Sequence, residues 1–383
     1  MPTPKMSDNT IALIKRELAT GATNRQVARK LKVAMGSVSN VRRDLNNGIL
    51  QSKQATRRAS MAEQQYAEAM KEVGSLRREL DAFTEVRDYM KLFRPVEVKP
   101  KHGGKGEATA VICWNDWHFE ETVDAEAVNG VNEYNVDIAK KRFKDGLQAT
   151  ASIIDMCRSK SHIDTLIVNV MGDLMTGYIR DELMATNAMT PGEAVHEVLE
   201  QVVMGLEFFQ KELKLKRIIV PCVCGNHGRW TNKRWAKKGP GMSFEGVLYT
   251  FVAKWFLAQK NKVVQIIPPK GDMTFIDVYD RKVRITHGDN IRYSGGVGGV
   301  HIPLRKAIDA WNTVIWADYN YVGHYHQDIT GEDYRMSGSL IGYNEYCVKI
   351  KARYSPPSQA FELLHPKYGA TARFPIVLGT RGI

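Results

Sequence analysis

The sequence predicts an α/β fold over residues 108–383, preceded by a small all-α segment and a helical connection. Three observations point there. After Ala108, short apolar runs of strand type alternate with long stretches of helix period. Before Gly48, capping side chains and apolar residues at helical spacing mark three short helices. The charge is also lopsided: residues 1–110 carry 21 Lys and Arg against 12 Asp and Glu, and the remaining 273 carry 33 against 30. A basic arm ahead of a nearly neutral body suits a polyanion-binding element joined to a catalytic domain.

Residues 1–50 come first. Asp8 or Asn9 is expected to cap a helix over Thr10–Thr20, with Ile11, Leu13, Ile14 and Leu18 on one face and Gly21 as its stop. Asn24 is expected to cap a second helix, Arg25–Leu31, in which Val27, Ala28 and Leu31 face inward. A turn at Val33–Gly36 leads to a third helix, opened by Ser37 and ending near Asn46-Asn47-Gly48. The stretch from Asn24 through Arg43 resembles the helix-turn-helix of resolvase- and regulator-type DNA-binding domains. That resemblance implies a third helix in the major groove, with Ser37, Ser39 and Asn40 near base edges and Arg42 and Arg43 on phosphates. A small bundle making protein contacts is the alternative.

Residues 51–107 form the connection. From Met61 to Phe93 there is no proline, and Met70, Val73, Leu76, Leu80, Phe83, Met90 and Phe93 recur near a 3-4 alternation. This predicts a helix, either a short coiled coil that makes a homodimer through residues 61–93 or a helix packed on the catalytic domain. Pro95 ends it, and Val96–Glu107 reads as a basic linker.

In the α/β part, strands are expected at Ala108–Trp114, Asp164–Val170, Arg217–Cys224, Val263–Ile267, Met273–Tyr279, Lys282–Thr286 and Ala317–Val322. Helices fit Val136–Arg158, Pro191–Leu213, Met242–Gln259 and Pro303–Trp311. The residues after Ser339 carry no motif, and either complete a sheet or meet a partner. No apolar run approaches the ~18–20 residues that span a bilayer, so no membrane partner is expected. Met1–Lys5 lacks the apolar core of a secretory signal. Five cysteines, Cys113, Cys157, Cys222, Cys224 and Cys347, make no disulfide ladder and read as reduced thiols of a cytoplasmic protein. Cys222 and Cys224 are expected in a strand core, since zinc sites ordinarily use C-x₂-C pairs.

Five short motifs follow the expected strands in a fixed order: Asp116-Trp117-His118, Gly172-Asp173, Gly225-Asn226-His227, His287 and Gly323-His324-Tyr325-His326. Strand ends of layered α/β folds are where ligands bind. Two acids, one amide and five imidazoles make a ligand inventory for two adjacent divalent cations with one imidazole to spare.

These motifs are similar to those of the calcineurin-like metallophosphoesterase family, over roughly Ala108–Ser339. The resemblance implies a metallophosphoesterase β-sandwich flanked by helices, with the metals held on loops at one end. It also implies that Asp116, His118 and His326 bind one cation, that Asn226, His287 and His324 bind the other, and that Asp173 bridges both. A bridging carboxylate holds such cations ~3.5–4 Å apart, close enough to activate a shared water for attack on phosphorus. Mn is the expected pair, with Fe or Zn as alternatives. Asp173 and His227 are the catalytic residues on this reading, His227 donating a hydrogen bond or proton to the phosphoryl or leaving oxygen. Many relatives carry an acidic residue after this histidine. Here it is Gly228, so a carboxylate such as Asp116 or Asp173 is expected to orient the ring.

Arg229 and Arg292 are expected phosphate contacts, with Arg234 a further one. Trp230, Trp235 and Tyr293 either stack bases or pack structurally. The glycine-rich run Tyr293–Gly299 is a phosphate cradle, a lid or a plain loop, and His301 is a candidate cover for the site. Since the family spans many phosphoesters, the basic arm decides the expectation: a DNA nuclease, resembling the double-strand-break repair branch. Two alternatives stand. One is a phosphatase or phosphodiesterase for a small substrate whose arm serves oligomerisation. The other is a DNA-binding regulator with a scaffold phosphoesterase domain, against which the full ligand inventory argues.

Overall fold

The computed structural model describes residues 7–47, 64, 66, 67, 70, 71, 96–100, 106–293 and 299–379. The chain divides into two compact units, Met1–Lys71 and Glu72–Ile383. In the first unit, α1 (Asp8–Ala19) and α2 (Asn24–Leu31) precede α3 (35–47). The caps sit one step earlier than the sequence pattern places them. Ser7 accepts from Thr10 N, and Thr23 forms a reciprocal capping box with Gln26, displacing Asp8, Asn9 and Asn24 from that role. Gly36 and Ser37 lie within α3 rather than before it. Ile14, Val27, Val38 and Val41 form the small core, and Leu13, expected on the buried face, is 49% exposed. The expected 61–93 helix falls mostly outside the described residues; positions 64, 66, 67, 70 and 71 are helical.

In the second unit the chain runs β1 (Glu97–Val98), β2 (Thr109–Trp114), α4 (Val136–Arg158), β3 (Thr165–Val170), α5 (Asp181–Thr186) and α6 (Pro191–Leu213). It continues through β4 (Arg217–Pro221), α7 (Phe244–Ala258), β5 (Val264–Ile267), β6 (Met273–Val278), β7 (Arg281–Thr286) and α8 (His301–Asn312). Last come β8 (Tyr319–Val322), β9 (Ile329–Thr330), β10 (Tyr334–Met336), α9 (Glu345–Ile350), β11 (Ser358–His365) and β12 (Gly369–Val377). The long helices start where local chemistry allows: Asn135 caps α4, and a Thr190–Glu193 capping box with Pro191 opens α6.

Two six-stranded mixed sheets form, in the orders β1-β6-β7-β8-β10-β9 and β12-β11-β2-β3-β4-β5. The period-2 alternation of β2, β3 and β4 assigns their faces. Val111, Cys113, Ile167 and Ile219 meet Ile276, Val283, Ile285 and Tyr321 of the other sheet. Ile112, Trp114, Val168 and Val220 on the opposite face pack under Phe143, Val202, Phe209 and Leu248 from α4, α6 and α7. Leu304 and Ile308 of α8 cover the outer face of the first sheet against Val322 and Met336. The result is two sheets face to face with helices outside both. The C-terminal residues complete the second sheet, where β11 pairs antiparallel with β2 and β12 with β11. Among the described residues no helix is long and apolar enough to cross a membrane.

Candidate metal centre

Parallel pairing gathers the motifs. β2, β3 and β4 are adjacent and parallel, and so are β7 and β8 in the facing sheet. Their C-terminal ends, and the loops that follow, therefore meet at one edge of the sandwich. Five of the residues turned in by those loops have left-handed backbone: Asp116 (φ 50°), His118 (47°), Asp173 (51°), His324 (70°) and His326 (53°). Such conformations are uncommon for residues with a Cβ and collect at functional sites. Gly172 (φ 85°) faces Gly225 so closely that a Cβ on either would run into the other loop.

Three trios of ligand atoms each lie within 4.8 Å of one another: Asp116, His118 and His326; His118, Asp173 and His227; Asp173, His287 and His324. The first and third trios separate the residues expected around the two cations, while Asp173 belongs to two trios. Asn226 joins the third through its Oδ1, 3.1 Å from His287 Nε2, which also lies 2.9 Å from Asp173 Oδ2. His227, the expected spare imidazole, lies among the ligand atoms as well, its ring 4.6 Å from that of His118.

The donor set suits divalent cations. Asp116 Oδ1 and His118 Nε2 are buried without a hydrogen bond, and at 3.5 Å His326 Nε2 is an ion-pair rather than a hydrogen-bond partner of Asp116. The distal nitrogens are held in fixed roles. His287 Nδ1–H donates to Met171 O at 2.8 Å, and His118 Nδ1 sits 3.1 Å from Thr176 Oγ1, which in turn donates to Glu121. Each arrangement leaves Nε2 turned into the cleft, as the outer partners of metal-bound imidazoles do.

Electrostatics follow from burial and proximity. Burial pushes the Asp173 carboxyl up, but the His287 and His227 imidazoles outweigh it and hold it well below the usual range. Burial pushes His287 down, but Asp173 overrides it and raises the imidazole to about 9. Burial, then the His287 charge, lowers His324 to about 3, which keeps it neutral with a free lone pair.

The orientation of His227 differs from expectation. Its Nδ1–H donates to the Thr176 carbonyl at 3.1 Å, so neither Asp116 nor Asp173 orients the ring; Asp173 Oδ1 accepts the His227 backbone N–H instead, at 2.7 Å. The room at Gly228 is filled by Glu245, whose Cγ would lie 2.8 Å from a Cβ there. This buried carboxylate accepts from Leu174 N (2.7 Å) and Gly225 N (2.6 Å), fastening the Asp173 loop to the Asn226 loop. Sequence reasoning misses Glu245, Thr176, Glu120 and Glu121. Glu245 follows the α7 cap Ser243 and looks there like an ordinary first-turn acid.

The other expected contacts divide. Arg229 is half-buried and donates to Asn226 O and Thr231 O, and Arg234 pairs with Asp272 and Asp289, whereas Arg292 is exposed. Trp230 is buried against Phe244, and Trp235 is 48% exposed. His301 bonds Tyr334 from its place on α8, and residues 294–298 of the glycine-rich run lie outside the described residues. In the first unit, Arg42 donates to Ala22 O, Ser39 accepts from Asn24, Ser37 is half-buried, and Asn40 and Arg43 are exposed.

Neither a protein-family model nor a curated protein matches the chain. Among solved structures, the Termus thermophilus sulfate thiohydrolase SoxB in complex with glycerol aligns at 8% identity and a TM-score of 0.28, over 73% of this chain and 57% of that one. A likeness that slight carries no argument, so the functional reading rests on the residues.

Proposed function

We propose that the second unit is a dinuclear metal-dependent phosphoesterase acting on phosphodiesters, and that DNA is its substrate. The observation that carries this reading is the overlap of ligand trios on Asp173, with Asp116 Oδ1 and His118 Nε2 buried and unpartnered beside it. Asp116, His118 and His326 would hold one cation, and Asn226, His287 and His324 the other, with Asp173 between them. Mn suits this mixed nitrogen and oxygen set, as Fe or Zn would. Two bound cations supply neutralising charge for phosphoryl oxygens and acidify water at neutral pH. His227, fixed by the Thr176 carbonyl, presents Nε2 to the same cleft; that nitrogen can take a proton from an attacking water and then hand it to a leaving oxygen. The basic first unit supports DNA over a small ester, because exposed Arg43 and Lys15 offer phosphate contacts.

The test is hydrolysis with Mn²⁺ of labelled single- and double-stranded DNA alongside bis-p-nitrophenyl phosphate. Asp173→Ala and His227→Ala should each abolish DNA cleavage, and a chelator should do the same reversibly. Turnover of the small ester alone would replace DNA by a small substrate. No turnover with any divalent metal would leave a DNA-binding regulator.

A further inference from the structure

Between Gly228 and Phe244 the chain carries Arg229, Lys233, Arg234, Lys237 and Lys238 and no acidic residue. This segment leaves the centre at His227 and returns to it. Its stem is closed by the Arg229–Ser243 bridge and by Trp230 N donating to Met242 O at 3.3 Å. Arg234 then ties it to Asp272 and to Asp289, two residues beyond His287. The loop is thus fixed against the His287 loop, which supplies the centre, and against the β5–β6 connection.

Its cations differ in what they are free to do. Arg229 and Arg234 serve the fastening. Lys233, Lys237 and Lys238 are exposed and have no ion-pair partner among the described residues. Trp235 stands among them, 48% exposed, while neighbouring Trp230 is buried against Phe244. An exposed indole between unpaired lysines beside a phosphoesterase centre matches the chemistry of an unpaired nucleotide strand: charges for phosphates, a flat apolar face for a base. A duplex would supply the phosphates but keep its bases stacked. A phosphoprotein would supply no base.

We propose that residues 231–238 bind a single-stranded segment of the nucleic-acid substrate next to the scissile phosphate, with Trp235 stacking on a base and Lys233, Lys237 and Lys238 contacting phosphates. The inference rests on the reading of the centre as a phosphodiesterase. Its main test does not. A single-stranded oligonucleotide carrying 5-bromodeoxyuridine is photocrosslinked to the full chain, and the crosslinked peptides are identified by mass spectrometry. Crosslinks should fall within 229–239 and vanish in Trp235→Ala. Crosslinks confined to residues 1–50 would overturn the proposal whether or not the protein is an enzyme.

Kinetics supply the second arm. Relative to the small ester in the same variant, Trp235→Ala should raise KM for single-stranded DNA roughly 5- to 150-fold, with rescue by Trp235→Phe. Replacing the three lysines by alanine should flatten the salt dependence of that KM by about 0.7 in log–log slope for each lysine that neutralises a phosphate. An unchanged KM in both variants would sink the proposal while leaving the hydrolase reading intact. Crosslinks on the loop without turnover of any ester would sink only the hydrolase reading.

Discussion

Glu245→Ala separates what holds the centre in shape from what holds the protein folded. The carboxylate is fully buried and takes two backbone N–H groups, Leu174 N and Gly225 N, one on each oxygen. Its removal leaves two buried donors unpaired at ~1–3 kcal/mol each, so ~2–6 kcal/mol. An opposing effect must be set against this. Burial, then the charge of Asp173, raises Glu245 from 4.5 to about 8, so the folded protein must keep a proton on it that the unfolded chain releases. At pH 8 that costs the wild type up to ~4–5 kcal/mol, and near pH 4.5 almost nothing.

With the folded value above the unfolded one, this contribution falls as pH rises from 4.5 to 8. In chelator, the variant should therefore melt roughly 5–15 °C below wild type near pH 5, and the deficit should shrink or close at pH 8. Metal affinity should behave differently, because both loops carry ligands. Removing a support of this kind from behind the ligands weakens binding about 10- to 100-fold, so Mn²⁺ titration by calorimetry should show that weakening even at pH 8. Glu245→Gln, which keeps one acceptor oxygen, should lie between. Unchanged Mn²⁺ affinity in Glu245→Ala, with a melting deficit equal at both pH values, would show that Glu245 neither braces the ligand loops nor keeps a proton in the folded protein.

Three further outcomes follow from the same structure. Glu120 accepts Thr176 N and Gly177 N on Oε1 while Oε2 is buried and unpartnered, and burial raises it to about 7; in chelator Glu120→Gln should stabilise the protein by on the order of 2–3 kcal/mol at pH 8 and by nothing near pH 4.5, read by denaturant unfolding. Gly172→Ala meets the Gly225 backbone whereas Gly130→Ala, also at positive φ, meets open space, so the second should cost only ~1–2 kcal/mol and the first should lose folding or Mn²⁺ binding outright, checked by circular dichroism and calorimetry. Deleting residues 1–50 should reduce the salt slope of double-stranded DNA binding by ~0.9 for each phosphate that the segment neutralises, measured by fluorescence anisotropy across salt concentrations.

The parts of the fold legible in the sequence are those whose signals are local. Val136–Arg158 and Pro191–Leu213 are bounded to the residue because Asn135, Thr190 and Pro191 announce their starts and long apolar faces sustain them. β11 escapes for the opposite reason. Its run Ser358–His365 is interrupted by Gln359 and Glu362, which read as loop or surface. In the structure both are buried and held from afar, Gln359 by hydrogen bonds with Asn115 and Glu362 by the Tyr321 hydroxyl and an ion pair with Arg373. The motif residues are legible because aspartate, asparagine and histidine in short glycine-bearing groups are unusual at strand ends. Glu245, Thr176 and Glu121 are not, since what distinguishes them is contact across long stretches of chain.

The left-handed residues suggest why the motifs need be no longer than two to four residues. Each loop leaves a strand and reverses at once, at a conformational cost of ~1–2 kcal/mol for each such residue. What offsets this is bonding between the loops. Asp116 N donates to Gly172 O, His118 N to Asp173 O, His324 N to Asp116 Oδ2 and Gly323 N to His287 O. The first two bonds lie within one sheet's loops, the third joins the two sheets, and His287 Nδ1 to Met171 O joins them again. The bonds made by His324 N and His287 Nδ1 reach the other sheet, so these two contacts form only once the sheets have docked, and that part of the cleft forms together with the sandwich core. Cations held between Asp116, Asp173, His287 and His324 would cross-link the same two sheets. Their binding energy would add to sandwich stability by mass action, and the centre would act as a clasp on the fold as well as a place for chemistry.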